Sequence, residues 1–217
     1  MNPAPPRLKI TEIFYSLQGE SDSVGYPTVF VRLTGCPLRC QYCDTAYAFT
    51  GGEWMSVEAV LDRVGQLALR HVCVTGGEPL AQKSCLTLLT RLCDAGYIVS
   101  LETSGALTLE GVDPRVVKVV DVKTPASGEE HRNLYPQLQS LSARDQVKFV
   151  VCSRADYDWS RAKCQELGLH GRCTVLLSPS NTELPARDLA DWILADRLPV
   201  RMQVQLHKVL WGDTPGK

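Results

Sequence analysis

Apolar, largely β-branched runs recur along the chain at residues 29–33, 71–75, 97–102, 116–122, 146–151, 173–177 and 202–206. Their length and the turn residues around them predict seven strands. Between several of them the apolar period becomes helical. Ser56 stands as a cap ahead of Val57, Val60, Leu61, Val64, Leu67 and Ala68, which follow the i, i+3, i+4, i+7 rule. Leu86, Leu89, Leu92 and Cys93 repeat that pattern before Gly96, a helix stop. Residues 155–167 and 186–194 predict two more helices. The intervals 107–115 and 126–139 scatter Gly, Pro and polar residues and predict short or irregular crossovers. Strand–helix alternation gives an α/β fold with a mainly parallel sheet covered by helices, and near-continuous apolar strands fit burial on both faces. Residues 9–25, ahead of the first core strand, read as an added hairpin or lid. No repeat or linker interrupts the pattern, so residues 1–217 read as one domain.

Composition narrows the function classes. The 217 residues carry 23 basic and 24 acidic side chains, a net charge of −1, which makes no electrostatic case for nucleic acid or an anionic membrane. No apolar stretch reaches the roughly 20 residues of a membrane span. The opening Met1-Asn2-Pro3-Ala4-Pro5-Pro6 is too short and proline-rich for a signal peptide, and is expected to fray. A cytoplasmic location follows as the default. Nine cysteines do not make a disulfide scaffold at this length and spacing. Cys73, Cys85, Cys93, Cys152, Cys164 and Cys173 sit in or beside the predicted elements and read as small apolar fillers.

The other three cysteines carry chemistry. Cys36-Pro-Leu-Arg-Cys40-Gln-Tyr-Cys43 is a C-x3-C-x2-C loop placed directly after the first core strand. Three thiolates on one irregular loop suit a soft metal centre, iron–sulfur or zinc. A structural zinc wants four protein ligands, and no nearby Cys or His supplies the fourth. A [4Fe–4S] cluster on three thiolates leaves one iron open to a substrate or cofactor. The next strand ends in Thr75-Gly76-Gly77-Glu78-Pro79, where two glycines let backbone approach a ligand. Read alone, that string is equally a turn. Later strands end in Glu102-Thr103-Ser104-Gly105, Asp121-Val122-Lys123-Thr124-Pro125 and Ser178-Pro179-Ser180-Asn181, which show hydrogen-bonding capacity or loop capping.

The cysteine spacing and the Gly-Gly-Glu-Pro string resemble those of radical S-adenosylmethionine (SAM) enzymes. The resemblance implies an incomplete (β/α) barrel with an N-terminal extension. It also implies a [4Fe–4S] cluster on Cys36, Cys40 and Cys43, with SAM on the open iron as the source of a 5′-deoxyadenosyl radical. SAM contacts are then expected at Tyr42, Cys43, Asp44, Gly76, Gly77, Glu78, Glu102, Lys123, Thr124, Pro125, Ser178, Pro179, Ser180 and Asn181.

Further strings resemble one family within that group, 7-carboxy-7-deazaguanine synthase of queuosine and 7-deazapurine biosynthesis. They are Ser16-Leu17-Gln18-Gly19-Glu20, Arg32, Cys43-Asp44-Thr45 and His207-Lys208-Val209-Leu210-Trp211-Gly212, in order across nearly the whole chain. The implied reaction contracts 6-carboxy-5,6,7,8-tetrahydropterin to 7-carboxy-7-deazaguanine with loss of ammonia. The implied substrate residues are Leu17, Gln18, Gly19, Glu20, Arg32, Thr75 and His207, with Thr45 on Mg2+. Arg32 suits the substrate carboxylate because its guanidinium is planar and always charged; its other reading is a strand-end surface charge. Thr45 reads otherwise as a loop cap, and His207 as a structural histidine. A flavodoxin- or ferredoxin-type electron donor and a homodimer complete the expectation. Ser21 stands where many relatives carry glycine, and residues 213–217 are hard to align. Two rivals share parts of the pattern: a glycyl-radical activase, and a zinc-stabilised binding module.

Overall fold

The computed structural model describes residues 5–212, 214 and 216. The fraying expected of residues 1–4 and most of the unaligned tail, Asp213, Pro215 and Lys217, lie outside the described residues. The strands are β1 (Arg7–Leu17), β2 (Pro27–Leu33), β3 (Glu53–Ser56), β4 (His71–Gly76), β5 (Ile98–Thr103), β6 (Val117–Asp121), β7 (Gln146–Val151), β8 (Thr174–Pro179) and β9 (Arg201–Met202). The helices are α1 (Val57–Gln66), α2 (Ser84–Asp94), α3 (Arg154–Glu166), α4 (Ala186–Asp196) and α5 (Leu206–Trp211). One nine-stranded sheet runs β3-β1-β2-β4-β5-β6-β7-β8-β9. From β2 to β9 every pairing is parallel, while β1 pairs antiparallel with β2 and β3. The sheet curls into an incomplete barrel.

The helices form for the reasons their sequences suggest. The Ser56 hydroxyl accepts from the Ala59 amide at 3.1 Å, so α1 starts on a side-chain cap. Its buried face is Val57, Val60 and Val64. On α2 the buried face is Cys85, Leu88, Leu89 and Leu92; Leu86 and Cys93 fall beside it, a rotation that a Leu-rich helix conceals. No α-helix joins β5 to β6 or β6 to β7. Residues 104–116 cross over through turns and bends, and residues 122–145 with only short 3-10 turns.

Outward strand positions supply both cores. Val29, Val31, Leu33, Val72, Val74, Val99 and Leu101 pack under α1 and α2. Val120, Val147, Phe149, Val151, Val175 and Leu177 pack with buried residues of α3 and α4 such as Tyr157, Cys164 and Leu189. The alternate inward positions are mixed: Phe30 and Arg32, Thr75, Glu102, Val119 and Asp121, Lys148 and Val150, and Ser178 all face one cavity. The strands are therefore buried on both faces, but only the outer face is uniformly apolar.

One expectation is decided and one changes. Residues 9–25 form the hairpin of the two readings rather than the lid: β1 pairs antiparallel with β2. The loop after it crosses to the far strands, where the Ser21 amide donates to Gln203 Oε1 at 2.8 Å and the Asp22 amide to Gln146 Oε1 at 3.0 Å. Ser21 turns there with φ of 69°, in the left-handed region that favours glycine. The strand expected at 202–206 shrinks to the two residues of β9. Beyond it the Gln205 amide nitrogen turns to Glu20, at 2.8 Å, and the Leu206 amide bonds the Gly19 carbonyl at 3.0 Å, starting α5.

Candidate active site

The carboxyl ends of the parallel strands open into a cavity of about 770 Å³. The cysteine loop forms one wall directly after β2. It has no regular structure and is braced from outside. Arg39 donates to the carbonyls of Cys36 and Leu38 at 2.8 and 2.6 Å, and its guanidinium lies 4.2 Å from the Phe49 ring centre. The Arg39 amide donates to Glu129 and the Gln41 amide to the Ser127 carbonyl, tying the loop to the crossover after β6. Cys36, Cys40 and Cys43 all face the cavity as free thiols. Burial pushes Cys36 up and Cys40 up to about 11 despite the nearby Lys123 charge. A bound metal cation would act against that shift by favouring the thiolate forms. Among the described residues no three His, Cys, Asp or Glu side chains gather closely enough to hold a single ion.

The Gly76–Gly77 turn abuts that loop. A β-carbon on Gly76 would lie 2.3 Å from the Leu33 carbonyl oxygen; one on Gly77 would lie 2.3 Å from the Gly35 oxygen and 2.8 Å from Cys36 Cβ. Only glycine lets the turn sit against the cysteine backbone, which is the close approach a ligand bridging both would need. Soft sulfur donors beside that turn fit a [4Fe–4S] cluster with SAM. Asp121 Oδ1, buried in the same cavity, has no hydrogen-bond partner among the described residues. Glu78 differs from expectation. It is fully buried and accepts from the Leu80 amide, the Thr103 hydroxyl, and the Ser104 amide and hydroxyl. The carboxylate stands behind the cavity wall, fastening the turn to the end of β5, with its own chain already filling the place of a ligand ammonium. Thr124 is buried behind the wall, its hydroxyl donating to the Val150 carbonyl at 2.9 Å, and Pro125 is exposed at the start of a 3-10 turn. Tyr42, Asp44, Glu102, Lys123, Ser178, Pro179, Ser180 and Asn181 line the cavity.

The loop after β1 brings Leu17, Gln18, Gly19 and Glu20 to the cavity. Gln18 Nε2 and the Thr75 hydroxyl both donate to Glu102, at 3.3 and 3.1 Å. Arg32 Nε donates to Glu12 Oε1 at 2.7 Å, which also accepts from the Tyr47 hydroxyl at 2.8 Å. Phe14 and Tyr47 each place a ring centre 5.8 Å from the guanidinium. Burial would lower Arg32, but Tyr47 and Glu12 outweigh it and keep it charged. Its terminal nitrogens have no hydrogen-bond partner among the described residues. His207 rests on Gly19, where a β-carbon would lie 2.1 Å from its Nδ1. Burial holds His207 below the usual histidine range against the pull of Glu20 and Asp44. The Thr45 hydroxyl donates to Asp44 at 2.8 Å. Burial opposes ionisation of Asp44, yet the Thr45 bond and the Lys148 charge hold its carboxyl low. That pair of hard oxygens suits a magnesium-type ion.

Sequence reasoning missed Lys148, Asp121 and Gln205 as site residues, and Glu12 and Tyr47 as the setting of Arg32. Lys148 had a signal, as the lone charge of an otherwise apolar run; Asp121 stood at a strand end but shares its run with Lys118. Glu12 and Tyr47 had none, since only folding brings them to Arg32.

The radical SAM superfamily model matches residues 30–175. The 7-carboxy-7-deazaguanine synthase of Chlorobaculum tepidum is 45% identical over 208 residues, covering 94% of each chain. That of Koribacter versatilis is 42% identical over 219 residues, covering 94% of this chain and 97% of the relative. The crystal structure of QueE from Escherichia coli superposes with a TM-score of 0.77 at 27% identity, over 93% of this chain and 95% of that one. Archaeal TYW1, at 15% identity and a TM-score of 0.57, shares the fold. The family match covers the cysteine loop and strands β4 to β7, and the relatives match 94% of the chain, so this chain belongs to the radical SAM superfamily and, within it, to the 7-carboxy-7-deazaguanine synthase family.

Proposed function

We propose that the chain contracts 6-carboxy-5,6,7,8-tetrahydropterin to 7-carboxy-7-deazaguanine with loss of ammonia. The observation that carries this reading is one cavity joining three thiols, a glycine turn and a charged guanidinium whose terminal nitrogens have no partner among the described residues. Cys36, Cys40 and Cys43 would hold the cluster. When bound, cluster and SAM supply one-electron cleavage of a sulfonium and removal of a hydrogen atom from the substrate. Gly76 and Gly77 offer SAM uncovered backbone, while Tyr42, Asp44, Lys123 and residues 178–181 surround it. Glu78 and Thr124 act from behind by holding those walls in place.

Arg32 receives the substrate carboxylate on its terminal nitrogens, a planar charged fork matched to that group. Gln18, Glu20 and Thr75 read the donor–acceptor edge of the pterin, Glu102, the expected SAM contact, holds Gln18 and Thr75, and Leu17, Gly19 and neutral His207 shape the floor beneath it. Thr45, with Asp44 beside it, holds Mg2+ toward the substrate carboxylate. A flavodoxin- or ferredoxin-type protein supplies the electron, and the enzyme works as a cytoplasmic, single-domain homodimer. Among the described residues no helix is long and apolar enough to cross a membrane. The charged inner surface, built around a carboxylate anchor, favours a small acid over the protein partner of a glycyl-radical activase. Anaerobic incubation with SAM, reductant and the carboxypterin tests the reading: a product with the mass of carboxydeazaguanine supports it, and recovery of unchanged pterin from protein carrying its iron overturns it.

A further inference from the structure

Lys148 lies inward on β7 with 13% of its side chain exposed. Its ammonium is 2.7 Å from Glu20 Oε2 and 3.4 Å from Asp121 Oδ2. Glu20 arrives from the loop after β1, while Asp121 is the register partner of Lys148 on the neighbouring strand. One cation therefore joins a loop that crosses the barrel to the barrel wall. Burial would lower Lys148, but Glu20 and Asp121 outweigh it and keep it charged. The other donors to Glu20 are amides, Gln205 Nε2 at 2.8 Å and Gln203 Nε2 at 3.3 Å. A hydrogen bond charged on both sides is shorter and stronger than one from a neutral amide, so Lys148 dominates where the Glu20 carboxylate stands. The loop has separate anchors in the Ser21 and Asp22 amides. Loss of Lys148 would thus misplace the carboxylate without freeing the loop.

We propose that Lys148 is a positioning residue for substrate binding, acting through Glu20, which it fixes against the wall that Asp121 ends. The inference rests on the reading of Glu20 as a substrate contact. Its test is a double-mutant cycle of Lys148→Met and Glu20→Gln, with Lys148→Arg as the conservative variant. The readout is binding of 6-carboxypterin, an unreactive oxidised analogue, followed by its own fluorescence on the cluster-loaded enzyme, with SAM affinity measured alongside.

Each single substitution should weaken pterin binding about tenfold or more, the scale for truncating one partner of a buried charged pair. Lys148→Met should cost little further once Glu20 is Gln, SAM affinity should hold, and Lys148→Arg should recover most of the loss. An equal cost of Lys148→Met in both backgrounds, or parental binding by Lys148→Met alone, overturns the positioning role. Parental binding by Glu20→Gln instead overturns the substrate role of Glu20, a separate failure. If Lys148→Met loses its circular dichroism signature, Lys148→Gln carries the same comparison.

Discussion

Arg32 illustrates how a single side chain is prepared for a ligand. Its Nε is committed to Glu12, two rings flank the guanidinium, and the terminal nitrogens are left for an incoming carboxylate. Arg32→Ala should weaken binding of a carboxylated pterin by about 2–5 kcal/mol and leave the uncarboxylated pterin almost unaffected. Arg32→Lys should recover little, because a point charge cannot form the same fork. Equal affinities of parent and Arg32→Ala for the carboxylated compound would remove the role. Thr45 poses a similar question about an oxygen. Its hydroxyl now donates to Asp44, a bond that serves a loop cap as well as it orders a metal site. Thr45→Val should keep SAM binding and iron content while losing the response of turnover to Mg2+. A Mg2+ titration giving the same stimulation in both proteins would leave only the cap. Arg32 and Thr45 were legible from motif strings, whereas what Arg32 touches came only with the fold.

At the level of elements, the decisive contact joins the end of β4 to the cysteine loop after β2. Two glycines make it possible, and they differ sharply from a third. The Cβ that Gly77→Ala adds would meet backbone at Gly35 and the Cβ of Cys36, neither of which can swing aside. Gly77→Ala should therefore displace the cysteine loop and lower the iron bound per chain after anaerobic reconstitution. Gly65 lies inside α1 with Tyr97 Oη, at 3.8 Å, as the nearest atom to an added Cβ. Gly65→Ala should raise stability by about 1 kcal/mol through helix propensity and leave iron binding alone. Full iron content in Gly77→Ala would show that the loop yields without consequence. Periodicity placed α1 through α4 within a few residues, most plainly α1 and α2, which each bury one apolar stripe, whereas α3 buries Asp156 and Ser160 beside Tyr157 and Cys164. Periodicity failed at β9, where chain direction is set by Gln203 and Gln205 reaching Glu20, a pairing across more than 180 residues that no local pattern encodes.

For the whole molecule, strand–helix alternation was enough to suggest a mainly parallel sheet, the family resemblance made it an incomplete barrel, and the cysteine and glycine motifs placed its working end. The mixed inner face was hard to see because Arg32, Glu102 and Lys148 are single charges in mostly apolar runs and Asp121 shares its run with Lys118, so no regular alternation marks a polar face. Charge also fastens the strands away from the cavity, at Asp145 just before β7. That residue is 1% exposed. Its Oδ1 accepts the Lys118 amide at 2.9 Å and lies 3.0 Å from the Lys118 ammonium; its Oδ2 accepts the Ser142 amide and hydroxyl at 2.8 and 2.9 Å. Its own carbonyl accepts from Thr174 at the start of β8, so one residue ties three strands. Burial would raise the Asp145 carboxyl, but the Lys118 and Ser142 donors outweigh it and hold it below the ordinary value. A folded-state pKa lower than the unfolded one, near 3.9, contributes stability that is complete well above about pH 4. That contribution shrinks once pH falls below the unfolded value and is gone below the folded one, where both states carry the proton. Asp145→Asn leaves the Lys118 ammonium without its carboxylate and offers an amide where donors already converge. It should cost about 3 kcal/mol near neutral pH. The gap between parent and variant in urea titrations should then narrow as pH drops through the carboxylate range, because the parent loses a term that the variant never had. A gap of constant size down to the lowest pH at which the parent still folds would show that Asp145 contributes shape and packing rather than charge.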